Sequence, residues 1–261
     1  MLDRCIASFA TAGKILVMSV TAIFSILTDI PRGRFPWPEF IRQAWFMTGV
    51  AVVPTILVAI PFGVIISVQV SSLAQQVGAT SFLGAATGLG VIQQGAPIVT
   101  ALLLAGAVGS AITSDLGART IREEIAALEV LGISPVRRMV APRLLAIVVV
   151  ALVLCSIVVF TGVITGYLFN VLVQSGTPGS YVSSFAAFAT PTDLVLAEVK
   201  SALFGAIVGV VAAHKGLSAS GGPGGVAQAV NAAVVLAVVT LFGVNVIISQ
   251  LAAVLLPGKL G

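Results

Sequence analysis

Apolar residues fill five long runs of this chain, and polar positions gather in the breaks between them. The runs cover about Ala44 to Val70, Gly88 to Thr113, Leu144 to Val173, Leu194 to Ala213 and Ala227 to Leu256. At about 1.5 Å per residue, each is long enough to cross roughly 30 Å of hydrocarbon as a helix. A sixth run, Ile15 to Leu27, has only 13 residues and is too short to span. With Arg4 and Lys14 before it, the run fits either a helix lying in the membrane interface or a signal peptide. No small-x-small cleavage site precedes Asp29, and Arg32, Arg34 and Arg42 oppose export, so the interfacial helix is preferred. Trp37 and Trp45 flank the first span as interfacial anchors.

The polar positions are organised around one island, Asp115 to Arg143, which holds nine of the 22 charged residues in 29 positions. No Asp, Glu, Lys or Arg occurs between Arg42 and Asp115, and none between Arg143 and Asp193. Such an island between apolar tracts reads as a short helical segment held in water between two spans. Ile121, Ile125, Leu128 and Leu131 recur at helical spacing with Arg122, Glu123, Glu124 and Glu129 elsewhere round the helix. Arg119 and Glu123 stand four apart, as a surface ion pair would. Gly132 closes the helix in a left-handed cap, and Pro135 prevents its resumption. The segment is a solvated connection or a lever docking into another protein, and spacing does not choose between them.

Composition agrees with a membrane location. The chain is 58% hydrophobic and 8% charged, with mean hydropathy +1.15, against about 25% charged for a soluble domain. The expected fold is an all-α integral membrane protein: an N-terminal interfacial region over residues 1–43, then a membrane-spanning body over 44–261. The net charge of +4 is not a nucleic-acid signal, because position rather than sum is what matters here. Of the two cysteines, Cys5 reads as a surface thiol and Cys155 as a small packing residue mid-span. One histidine and no Cys pair at ligand spacing leave no metal set.

Within the spans a few positions stand out. Pro54 and Pro61 remove helical hydrogen bonds, so the first span is expected to be kinked or broken, either as ordinary curvature or as a discontinuous helix lining a substrate cavity. The segment Ser71 to Thr87 reads as a turn region. The small residues of ALLLAGAVGSAIT and the pair Gly162-x-x-x-Gly166 are packing faces. Glu198 and Lys200 enter the fourth span two residues apart, on different faces. They either snorkel to the interface or meet a partner inside, which makes them substrate-path candidates with Pro54 and Pro61. Gln174 to Pro191 is polar, and His214 to Val226 reads as a glycine-rich loop that lacks the G-K-[ST] ending of a phosphate loop. Asn231, Asn245 and Gln250 supply hydrogen bonds between helices.

Eleven Lys and Arg residues fall in the N-terminal region, the island and the His214 loop, whereas the opposite side holds only Lys259. The positive-inside rule then places the N-terminus and the island in the cytoplasm and the C-terminus outside.

The stretch ALLLAGAVGSAITSDLGARTIREEIAALEVLGISPVRRMVAPRLLA resembles the long signature of the MlaE/YrbE permeases, membrane subunits of ABC lipid transporters. The register is carried by Glu123-Glu124-Ile125, Ala127-Leu128, Leu131-Gly132-Ile133, Pro135 and Pro142-Arg143-Leu144. Glu198-Val-Lys200-Ser-Ala-Leu-Phe204-Gly205 is similar to the family's KS-x-x-FG. The resemblance implies five spans, an amphipathic N-terminal helix and a cytoplasmic coupling helix over about Asp115 to Ile133. It makes Arg119, Glu123, Glu124, Leu128 and Gly132 the coupling candidates toward separate ATPase subunits, which would bind the ATP and magnesium. This chain then carries no cofactor and no catalysis. The other implied partners are a second permease chain, MCE-domain proteins outside and a lipid substrate, in a bacterial plasma membrane. The departures are Ala107 for an arginine, Asp115-Leu116-Gly117 for ELG, and Gln93-Gln94-Gly95 before Pro97. One explanation of the missing arginine is pairing with a different YrbE paralogue, as in actinobacterial Mce systems, which is preferred to a homodimeric phospholipid transporter. The competing readings are an ion-coupled secondary transporter using Glu198 and Lys200, and a scaffold that holds MCE proteins without transporting.

Overall fold

The computed structural model describes residues 2–76, 78 and 82–255, with side chains for 13–76, 78, 82–252 and 254. The side chain of Cys5, and Lys259 entirely, lie outside the described residues. Ten α-helices and three π-helical stretches follow one another, with no strand among the described residues. They are α1 (Leu2–Asp29), α2 (Trp37–Gln76), α3 (Leu83–Gly90), α4 (Ala96–Leu103), α5 (Ser110–Ile121), α6 (Glu124–Val130), α7 (Ala141–Leu172), α8 (Pro178–Phe188), α9 (Pro191–Leu217) and α10 (Gly222–Leu255). Val91–Gly95 joins α3 to α4, Leu104–Gly109 joins α4 to α5, and Val136–Val140 leads into α7. Five helical segments are long and apolar enough to cross a membrane: Trp37–Gln76, Leu83–Ile121, Val136–Leu172, Pro191–Leu217 and Gly222–Ala252. The protein is an all-α, multi-pass membrane protein.

Several boundaries differ from the sequence expectation. Helices outrun their apolar tracts, because hydrophobicity marks only the lipid-facing length while the backbone ladder continues into water. The Ser71 to Thr87 turn region is largely helical, with α2 reaching Gln76 and α3 beginning at Leu83. The glycine-rich loop from His214 shrinks to a connection between Leu217 and Gly222, where Gly221 and Gly222 take φ of +83° and +73°. The polar Gln174 to Pro191 segment contains α8, which starts with Pro178 at its first turn. Helix α2 runs as one continuous helix through Pro54 and Pro61, so of the expected kink or break the break is absent. In hydrocarbon an interrupted ladder has no water to satisfy it, which favours bending over breaking.

Two of the π-helical stretches end two residues before a proline, Pro97 and Pro142. A proline ring clashes with the carbonyl four residues back, and a locally widened helix relieves that clash.

The described residues cluster into two units. Unit one (1–49, 104–150 and 205–261) holds α1, the start of α2, α5, α6, the start of α7, the end of α9, and α10. There α10 packs on α5, and α1 packs on Val136–Val140. Thr113 Oγ1 donates to Ala212 O at 3.2 Å and Thr120 Oγ1 to Gly216 O at 3.3 Å, tying α5 to α9. One face of α1 exposes Leu16, Val17, Val20, Ile23, Phe24 and Leu27 while Ala22, Ser25 and Asp29 are buried, the pattern of a helix lying against a membrane.

Unit two (50–103 and 151–204) is built where small residues let helices touch. A Cβ at Gly63 would stand 2.6 Å from Gly162 O, so α2 and α7 cross backbone to backbone. Ala59, Ile92, Ala96, Val99, Cys155, Val158 and Ala197 form its core.

Candidate functional site

The charged island does not form one helix. Helix α5 runs out of the second span to Ile121 and then breaks, because Glu123 sits in the left-handed region at φ 61°, ψ 13°. A non-glycine residue there costs on the order of 1 kcal/mol, and it redirects the chain so that α6 starts afresh. The break also overturns the Arg119–Glu123 pair. Arg119 instead meets Asp115 at 3.1 Å and Glu124 at 3.5 Å, and Arg122 meets Glu124 at 3.0 Å.

Helix α6 has no buried residue. It closes in a Schellman motif, with Ile133 N–H donating to Leu128 O at 2.9 Å and Gly132 N–H to Glu129 O at 3.0 Å. Gly132 has φ +72°, as the sequence requires, and Gly132→Ala is expected to cost about 1 kcal/mol of local stability. Faster amide exchange at Leu128 to Ile133 checks this, and unchanged exchange refutes it. At the end of the helix, just before the closing glycine, apolar side chains stand in the open: Val130 is 88% exposed and Leu131 72%. Ile125 and Leu128 are half-buried, so the expected apolar stripe only partly faces the protein.

What holds this projection is Arg143, which sequence reasoning noticed only within the Pro142-Arg143-Leu144 match. Its side chain is 3% exposed and donates to Asp115 Oδ2 at 2.5 Å and to Met139 O at 2.9 Å. Glu39 Oε1 lies 3.7 Å away and also accepts from Gln43 Nε2 at 2.8 Å. One guanidinium therefore links the beginnings of α2 and α7 to α5. The signal for it was the lone buried-type arginine followed by an uninterrupted apolar run.

The membrane candidates lie in unit two. Lys200 is buried at 2% exposure and donates to Gln93 O at 3.2 Å. In a regular helix that carbonyl would accept from residue 97, but Pro97 has no N–H, and the lysine supplies a donor. Lys200 thus has a backbone partner on the second span. Gln93 Nε2 donates to Asp193 Oδ1 at 3.1 Å, and Asp193 Oδ2 takes the Thr190 N–H at 2.9 Å and its Oγ1 at 2.6 Å. The Asp193 carboxylate thus satisfies the Thr190 N–H at the start of α9, which has Pro191 at its first position. Glu198 turns elsewhere, accepting from Ser156 Oγ at 2.8 Å, while its Oε2 is buried with no hydrogen-bond partner. Glu198 and Lys200 thus face different neighbours, as their spacing predicted. Pro54 is half-buried and Pro61 exposed along an unbroken helix, so neither marks a discontinuous segment.

Comparison with known proteins adds an independent line. The profile of the family described as "Permease MlaE" matches residues 40–251. A "Probable ABC transporter permease protein" of Synechocystis sp. is 28% identical over 249 residues, covering 95% of this chain and 90% of that one. The "Intermembrane phospholipid transport system permease protein MlaE" of Haemophilus influenzae is 26% identical, covering 88% of each chain. The chloroplastic "Protein TRIGALACTOSYLDIACYLGLYCEROL 1" of Arabidopsis thaliana is 27% identical, over 86% of this chain and 64% of that one.

Proposed function

The chain belongs to the MlaE permease family, and from that premise we propose that it is the non-catalytic membrane subunit of an ABC transporter that moves lipid. The observation that carries the reading is α6, a helix with no buried residue and an exposed apolar end, braced at its base by Arg143. A projection of that kind has unpaid apolar exposure until a partner covers it. The partner we propose is a separate ATP-hydrolysing subunit, which binds the nucleotide and magnesium. Arg119 and Glu124 hold the helix at its proper angle, Glu123 sets the bend, and Leu128 with the Gly132 closure presents the contact face. A second permease chain, MCE-domain proteins on the outer side and a bacterial plasma membrane complete the assembly, with the basic residues on the cytoplasmic side. Glu198, a half-buried carboxyl inside the spans that accepts from Ser156, supports a lipid path along this part of α9. The same carboxyl supports the rival reading, an ion-coupled carrier. Transport that runs on an ion gradient without ATP would decide for it.

The test is co-purification of the ATPase subunit. Glu124→Lys puts a cation against Arg119 and Arg122, and Leu131→Asp places a charge on the exposed tip without touching any internal ion pair. Both variants are expected to insert normally and to retain the ATPase at least about tenfold less well, as loss of a contact hot spot implies. Full retention by Leu131→Asp overturns the assignment of α6 as the docking element.

A further inference from the structure

Between the end of α1 and the turn leading into α7 lies a cavity of about 330 Å³, lined by Asp29, Arg34, Ile133, Ser134, Arg137 and Arg138 among others. Its walls come from segments about a hundred residues apart in sequence, joined by a bidentate pair. Arg137 Nε meets Asp29 Oδ2 at 2.5 Å while Nη2 holds Oδ1. That bond holds the buried Asp29 carboxyl below the ordinary carboxylate range, against the opposing effect of burial. Asp29 therefore stays ionised and neutralises Arg137. Three guanidinium groups against one carboxylate leave an excess of two positive charges.

That excess is not the general condition of arginines on this face. Arg42, Arg119, Arg122, Arg137 and Arg143 each have a carboxylate partner. Among the described arginines only Arg32, Arg34 and Arg138 form no ion pair, and two of these three line the same cavity. Apolar side chains beside it in the chain are open to the surroundings: Ile30 is 37% exposed, Ile133 42% and Trp37 46%. A cationic pocket with an apolar margin suits a group that is anionic at one end and greasy at the other.

We propose that this cavity binds the phosphate headgroup of an anionic phospholipid from the leaflet on the basic side, with Arg34 and Arg138 making the phosphate contacts. Asp29 fixes Arg137 as a wall of the pocket. Free inorganic phosphate shares the headgroup chemistry but gains nothing from the apolar margin. Because Ile133 and Ser134 form the turn that closes α6, an occupied pocket also stiffens the base of that projection.

The experiment uses the full chain with its co-purifying subunits in nanodiscs of phosphatidylcholine with about one fifth phosphatidylglycerol. Lipid retained through a detergent wash is read by mass spectrometry. Wild type is expected to keep phosphatidylglycerol, and Arg34→Gln/Arg138→Gln to keep about tenfold less, since two charge-assisted contacts are lost. Arg42→Gln/Lys215→Gln removes the same charge from the basic side and is expected to retain lipid as wild type does. In the wild type itself, amide exchange across 130–140 should slow in phosphatidylglycerol discs relative to pure phosphatidylcholine. Equal retention by the first double variant, or an equal loss in the second, overturns the proposal. So does displacement of the lipid by millimolar inorganic phosphate, which would mean a soluble anion site. Loss of the ATPase from Arg34→Gln/Arg138→Gln with lipid retention intact would instead assign the cavity to a protein contact.

Discussion

Arg143→Ala is expected to lower the stability of the detergent-solubilised protein by about 3 kcal/mol, seen as a clearly reduced melting temperature. Breaking a buried ion pair by removing one partner costs roughly 3–5 kcal/mol, and the lower end applies because Asp115 is 39% exposed and keeps Arg119. The loss leaves Asp115 and Glu39 near one another without the guanidinium that now sits between them. Arg143→Lys should recover only part of the stability, since an ammonium cannot reproduce the fork that reaches Asp115 and the Met139 carbonyl together. A double-mutant cycle with Asp115→Asn gives the coupling directly. If Arg143→Ala melts like wild type, Arg143 does not brace the island, and the rigidity ascribed to the base of α6 is wrong.

Lys200→Met is expected to have the second large effect, because it removes the donor that serves the Gln93 carbonyl beside Pro97 while keeping most of the volume. A hydrogen bond from a charged group contributes about 1.5–3 kcal/mol. The predicted outcome is a lower melting temperature with lipid transport reduced in proportion to the folded protein that survives. Glu198→Gln provides the contrast: it keeps an acceptor for Ser156 and removes only the charge, so melting should hold while transport falls. If Lys200→Met instead preserves melting and abolishes transport, the lysine touches the passing lipid, and its role is functional rather than structural.

Much of this architecture was legible in the sequence because lipid imposes a simple demand. A run of some twenty apolar residues must be a helix there, so five spans could be counted from hydropathy alone. Gly132 was equally readable, since a glycine followed by proline three positions later at the end of an amphipathic run is a chain-level stop signal. Helix α8 was not readable: its residues are small, polar and apolar in turn, and its helicity comes from packing on α3 rather than from propensity. Nor was the break at Glu123. An acidic residue within helical periodicity gives no sign of positive φ, and the left-handed geometry is held by what surrounds it.

The candidate site divides in the same way. Glu124, Gly132 and the apolar residues of α6 could be named from their pattern, but the partner of Arg119 could not. Four-residue spacing pointed to Glu123, and only the bend in the chain selected Asp115 with Glu124. By itself the sequence determined an all-α membrane chain, its family, its five spans and the single charged segment between the second and third, because periodicity, composition and a long motif are local properties. Tertiary structure alone decided that Arg143 joins three helices, that Lys200 answers the carbonyl facing Pro97, and that Arg34 and Arg138 share a cavity with Asp29. Arg143 and Asp115 are 28 positions apart and Lys200 and Gln93 are 107 apart, and which of many possible partners an arginine or lysine meets is set by how the helices pack.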